Sequence, residues 1–112
     1  MLRRCHTATL EKNETHSANF ETEPYETGWA SEARFFIRPL KIEPEAGAAA
    51  LTAHVQVSAD GLHWCDEGTT LVVKEEQVHS VRVRDFGGWL RLRCELSDGS
   101  TFKLLVYLVL KE

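Results

Sequence analysis

The chain has 112 residues, 43% of them hydrophobic and 27% charged, with a formal net charge of −4 at pH 7. That is the length of one domain, enough to bury roughly two-thirds of its unfolded surface, and the composition excludes an intrinsically disordered chain. The negative balance argues against a nucleic-acid module, and no apolar run approaches the roughly 20 residues a membrane helix needs.

Residues 1–32 predict an N-terminal arm with weak edge strands. Arg3 and Arg4 run into Cys5, His6 and Thr7 rather than an apolar segment, so no secretory signal is visible. Cytoplasmic synthesis is the expectation, with a virion as the destination if the protein is a particle component. Residues 7–10 and 17–22 read as edge strands, and Pro24, Gly28 and the surrounding glutamates make the rest a surface arm. Glu11, Glu14, Glu21, Glu23, Glu26 and Glu32 stand here against Lys12 alone. Asn13-Glu14-Thr15 matches the glycosylation sequon, a pattern common by chance.

Residues 33–112 predict the core of a β-sandwich. Residues 33–42 hold Phe35, Phe36 and Ile37. Residues 45–50 have helix-friendly composition, but Gly47 interrupts them and the stretch is too short for a helix, so it reads as a loop or single turn. In residues 51–58, Leu51, Ala53, Val55 and Val57 alternate with Thr52, His54, Gln56 and Ser58. Residues 70–74 are short and β-branched. Residues 78–84 place Val81 and Val83 inward and Arg82 and Arg84 outward, and residues 89–96 repeat the alternation through Leu90, Leu92, Cys94 and Leu96. Residues 102–110 close the chain. Period-two alternation of this kind marks half-buried antiparallel strands. Asp60-Gly61, Gly87-Gly88 and Asp98-Gly99 supply the turns between them.

The sharpest local motif is Ser58-Ala59-Asp60-Gly61-Leu62-His63-Trp64. Asp60-Gly61 suits a type I′ hairpin turn. Ser58 and Asp60 are placed to bond turn amides, and Trp64 is expected to pack back over the hairpin. The string resembles the S-x-D-G-x-x-W hairpin of discoidin-like carbohydrate-binding modules and of small phage or prophage-type virion accessory proteins. It is also similar to an Asp-box with one residue deleted. The resemblance spans residues 54–68, with a looser echo in Gly88-Trp89-Leu90-Arg91-Leu92. It implies a β-sandwich in which this hairpin is structural, and it carries over no catalytic residue.

Two features suggest binding. Arg34, Phe36 and Arg38 share one strand face, and Trp89, Arg91 and Arg93 share another, with Arg82 and Arg84 added if those strands pair. Arginine and aromatic residues are enriched at recognition surfaces. In the last strand Leu104, Val106, Leu108 and Leu110 share one face while Leu105, Tyr107 and Val109 share the other. Both faces are apolar, so the second needs a cover, either the N-terminal arm or another subunit. Tyr25, Trp29 and Trp89 are the candidates for a flat glycan-binding platform.

Metal and catalytic readings find little to rest on. The five histidines show no tight ligand spacing. His63 and Cys65 are two apart, but no oxyanion element or third orienting group accompanies them. The three cysteines are widely spaced and read as reduced thiols, with Cys94 in the core.

The sequence therefore predicts an all-β, antiparallel, jelly-roll-like sandwich of roughly seven to nine strands. It predicts a non-enzymatic structural or assembly protein without cofactor. Its partner is expected to be itself or a larger protein shell, such as a phage particle, and not a membrane or a nucleic acid. A carbohydrate-binding module is the alternative.

Overall fold

Alternation is realised as strand along almost the whole chain. The structure, a computed structural model, describes residues 3–44 and 48–112. These form nine strands: β1 (Cys5–His16), β2 (Phe20–Glu21), β3 (Tyr25–Glu26), β4 (Glu32–Glu43), β5 (Leu51–Ser58), β6 (Cys65–Val73), β7 (His79–Val83), β8 (Trp89–Leu96) and β9 (Thr101–Lys111). Residues 45–47 of the loop expected at residues 45–50 lie outside the described residues. Among the described residues no helix is long and apolar enough to cross a membrane.

All pairings are antiparallel, in two sheets. The first sheet has the order β1-β9-β4-β7. The second has the order β2-β8-β5-β6, with β3 also paired to β8. Among paired strands, only β5 and β6 are neighbours in sequence. Elsewhere the chain crosses between sheets at nearly every connection, and the Ser97–Ser100 turn shows how tightly it does so. Ser100 N donates to Ser97 O at 3.1 Å, and Gly99 takes a φ of 75°, where a side chain would be strained.

The stretch expected as an arm contributes β1, β2 and β3. β1 runs the full length of β9, from Cys5 opposite Lys111 to His16 opposite Phe102. Two bulges interrupt it, and Asn13 at the second has a φ of 58°. Ala8 and Leu10 of β1 are buried in the core.

That core lies between the sheets. Phe35 and Ile37 of β4 and Phe102, Leu104, Val106, Leu108 and Leu110 of β9 face Leu51, Val55, Val73, Leu90 and Leu92 from the second sheet. All of these are fully buried. Burial of each such side chain contributes roughly 1.5–3 kcal/mol. The strands expected at residues 51–58, 78–84, 89–96 and 102–110 are present with their predicted inward faces, whereas β6 begins at Cys65, well before residue 70.

Candidate interaction faces

Directly opposed residues of an antiparallel pair share a face, so the registers define the outer surfaces. On the first sheet Arg34 sits opposite Val109, Phe36 opposite Tyr107 and Arg38 opposite Leu105. The two sets expected on separate strands thus form one surface. Phe36, Leu105, Tyr107 and Val109 are half-buried by their neighbours, and no strand among the described residues pairs across their outer side. β1 flanks β9 in the sheet and does not fold across it, so the arm is not the cover.

The rim of this apolar strip is basic. Lys12 continues the row of Leu105, and Arg82 lies opposite Arg34. Lys41 lies opposite Lys103, and Lys111 opposite Glu32. With Arg38, seven cations occupy the face against two carboxylates, Glu32 and Glu43. Glu32 is paired with Arg3 at 2.6 Å and Glu43 with Lys41 at 3.3 Å. Arg34 donates to Ser80 Oγ at 2.9 Å. Among the described residues neither Arg34, Arg38 nor Arg82 meets a carboxylate. A shallow recess of about 290 Å³ opens here, lined by Arg34, Phe36, Arg82, Val109 and Lys111 with Glu32 and Ala33.

Trp89, Arg91 and Arg93 lie on the opposite side of the molecule, on the outer face of the second sheet. The two aromatic–arginine sets therefore stay apart: the sheets turn their outer faces away from each other, and β7 pairs with β4, so Arg82 joins Arg34 and not Arg91. Here the arginines are engaged. Arg91 stacks on Trp64, its guanidinium carbon 4.3 Å from the ring centroid, and donates to Gln56 Oε1 at 2.8 Å. Gln56 Nε2 donates to Asp66 Oδ1 at 2.9 Å, and Arg93 donates to Asp66 Oδ2 at 3.1 Å and to Glu95. His54 completes the chain, 3.2 Å from Glu95. The Gln56 and Arg93 bonds hold the Asp66 carboxyl below its ordinary range. Glu21, opposite Arg93, and Glu26, opposite Trp89, share this face.

The Ser58–Trp64 segment is a loop held by side chains, not the type I′ turn expected. Of its two central residues only Gly61 has a positive φ, of 80°. A type I′ turn needs both. Ser58 Oγ accepts from Gly61 N at 2.8 Å and from Asp60 N at 3.2 Å. Asp60 Oδ1 accepts from Leu62 N at 2.8 Å and His63 N at 2.9 Å, while Oδ2 meets His63 Nδ1 at 2.8 Å. The His63 bonds, followed by those from Leu62 and Ser58, drive the Asp60 carboxyl far below its ordinary range. The tryptophan packed against the turn is Trp89, not Trp64. A Cβ on Gly61 would come within 3.1 Å of the Trp89 ring. Trp64 lies instead over Arg91.

The remaining candidates separate. Tyr25 pairs with Leu90, on the inward side of β8, whereas Trp89 faces outward, so the three aromatics do not form one flat platform. Tyr25 and Trp29 do share a recess with Arg4, Cys5 and His6. Arg4 stacks on Trp29 at 4.3 Å. His63 is held by Asp60 rather than by Cys65. Burial, and to a lesser degree the carboxylates of Glu11 and Glu21, push the Cys94 thiol up to about 12, which leaves it un-ionised and a poor nucleophile. Among the described residues no group of three His, Cys, Asp or Glu side chains is placed to hold a metal ion.

One pair escaped the sequence reading. The two bulges of β1 leave Glu11 opposite inward-facing Val106 and His16 opposite inward-facing Phe102. His16 stacks on Phe20 with ring centroids 3.6 Å apart and lies 3.4 Å from Glu11. His16 Nε2 is buried with no hydrogen-bond partner among the described residues. Burial raises the Glu11 carboxyl against the opposing pull of His16, and Glu14 and Glu23 raise it further. Period-two alternation gave no signal for this pair, because each bulge shifts the strand by one residue.

Comparison with known proteins gives a family. A family model described as "Domain of unknown function (DUF6385)" matches residues 45–111, more than half of the chain, and the chain belongs to that family. No curated protein matches it. Among solved structures, one described as "Crystal structure of PirA" is similar with a TM-score of 0.44 and 15% identity, covering 96% of this chain and 93% of that one. Another, described as "Bacillus endospore appendages form a novel family of disulfide-linked pili", is similar with a TM-score of 0.33 and 16% identity, covering 96% of this chain and 83% of that one.

Proposed function

We propose that this DUF6385 member is a non-enzymatic structural protein that assembles with copies of itself, as a component of a larger particle. The observation that carries the reading is the outer face of the first sheet. A continuous strip of Phe36, Leu105, Tyr107 and Val109 lies open there inside a basic rim. Exposed apolar area of this kind, rimmed by polar groups, is how interaction sites differ from ordinary surface. Aromatic residues and arginine are the types that carry binding energy at such sites.

The strand order supports the same reading without deciding it. We read β1-β9-β4-β7 over β2-β8-β5-β6 as a jelly-roll winding. Viral capsid proteins and lectins both use that winding. A phage-type accessory role is the finer form of the proposal, and it rests on the face together with the winding.

Sedimentation velocity and native mass spectrometry from micromolar to millimolar protein test the proposal. Association should rise with concentration. Tyr107→Glu, which places a carboxylate in the centre of the strip, should weaken it by at least about tenfold, the scale of one lost anchor. A strict monomer across that range overturns self-assembly.

A further inference from the structure

The same face carries information about what covers it. We infer that its partner is the outer face of the second sheet on the next copy, so that molecules stack head to tail. This rests on the self-assembly reading and adds the partner surface and the symmetry.

Charge decides among the possible stacks. The first sheet's outer face carries seven cations against two carboxylates. On the second sheet's outer face, the residues placed outward by register include four carboxylates, Glu21, Glu26, Asp66 and Glu95, against two arginines. Arg91 is engaged with Gln56 and Trp64, and Arg93 with Asp66 and Glu95, which leaves Glu21 and Glu26 as the carboxylates without an ion pair among the described residues. A symmetric pairing through the first sheet would set Arg34, Arg38 and Arg82 against their own copies. A symmetric pairing through the second would set carboxylate against carboxylate. The pairing of unlike faces brings opposite net charges together, where either symmetric pairing sets like net charges against each other, and such complementarity selects partners and register.

The cationic face also holds charge that the monomer leaves uncompensated. Arg34 lies directly opposite Arg82, and among the described residues neither meets a carboxylate. Like charges opposed across a ladder are destabilising. A layer of carboxylates laid over them relieves that repulsion and leaves the central strip to bury Phe36 and Tyr107. The size is adequate. Four strands about 4.8 Å apart and about ten residues long at 3.3 Å each make a face of roughly 600 Å² in projection. Stable interfaces take about 800 Å² of accessible surface per partner, so the stack sits at the weak, concentration-dependent end. Because the two surfaces differ, the contact is heterologous and leaves a free face at each end of every stack.

Two charge-reversed variants and their mixture test this. R34E/R38E has a defective first face and an intact second face, and E21K/E26K has the converse. All four positions are exposed or lie at the surface, and circular dichroism checks that both variants fold. Each variant alone should associate at least about tenfold more weakly than the unaltered chain. An equimolar mixture should form dimers containing one of each and stop there, since only one intact pair of unlike faces remains. Association of the unaltered chain should weaken as salt is raised.

If E21K/E26K associates as strongly as the unaltered chain, the partner is not the second sheet, and the stack is overturned while self-assembly stands. If the unaltered chain is a monomer, both readings fall. If it is a monomer that binds heparin, and R34E/R38E does not, the basic face serves a polyanion and the inference is again overturned.

Discussion

At Asp60 a single carboxylate organises a loop. It accepts two backbone amides and one imidazole N–H within four residues of sequence, and its partner Ser58 accepts two amides more. The loop has few other bonds to hold Leu62, which is exposed at its tip. Asp60→Ala should therefore lower the thermal midpoint at neutral pH, and Asp60→Asn should lower it less, because the amide oxygen still accepts from Leu62 and His63. The pH dependence has a definite sign. The folded-state carboxyl is depressed, so its stabilising contribution is complete above the unfolded value of about 3.9 and is lost as pH falls through the lower folded value. Thermal melts of Asp60→Ala and the unaltered chain should differ at neutral pH and converge under strong acid. A constant difference across the range would show that the charge plays no part. The motif was legible in the sequence because serine and aspartate at this spacing have little else to bond. The identity of the packed tryptophan was not legible, since Trp64 and Trp89 lie far apart in sequence and only the pairing of β5 with β8 brings Trp89 under Gly61.

β1 shows what happens to an element that alternation describes poorly. Its inward residues are Ala8 and Leu10, then Glu11 and His16, a sequence no period-two template fits. The two bulges are the reason. They also twist the edge of the first sheet, which hinders edge-to-edge pairing with another chain. The second bulge depends on Asn13 at a φ of 58°, a conformation asparagine tolerates and β-branched residues do not. Asn13→Val should destabilise the fold by about 1–2 kcal/mol, the cost of left-handed backbone for a residue with a Cβ. Asn13→Gly should cost much less. Urea titration of the two variants separates them, and equal effects would mean that the side chain of Asn13 matters rather than its backbone. The regular strands β5, β8 and β9 were legible for the opposite reason. They are interior to their sheets, and their inner faces read as unbroken alternation.

For the whole molecule, pairing rather than strand content was beyond the sequence. Each strand's inward face can be read locally, but which strands are neighbours depends on contacts between distant segments. Phe36 and Tyr107 share a face because β4 lies beside β9, and Trp89 is excluded from it because β8 belongs to the other sheet. The same fact has a kinetic consequence. Only β5 and β6 pair through a local loop, so almost every ladder must close a long segment before it gains a hydrogen bond. Closure of that kind raises the entropic barrier, and sandwiches dominated by distant pairings fold in milliseconds to seconds rather than microseconds. Stopped-flow refolding followed by tryptophan fluorescence should fall in that slow range. Shortening the β5–β6 loop should change the rate far less than a cavity in the β9–β4 interface. Phe35→Ala removes a fully buried ring from the centre of that interface and should cost about 3–5 kcal/mol. If the docking of β9 on β4 limits folding, most of that loss appears as slower refolding. If it appears only as faster unfolding, the first sheet closes after the barrier, and β5–β6 with β8 forms the nucleus instead.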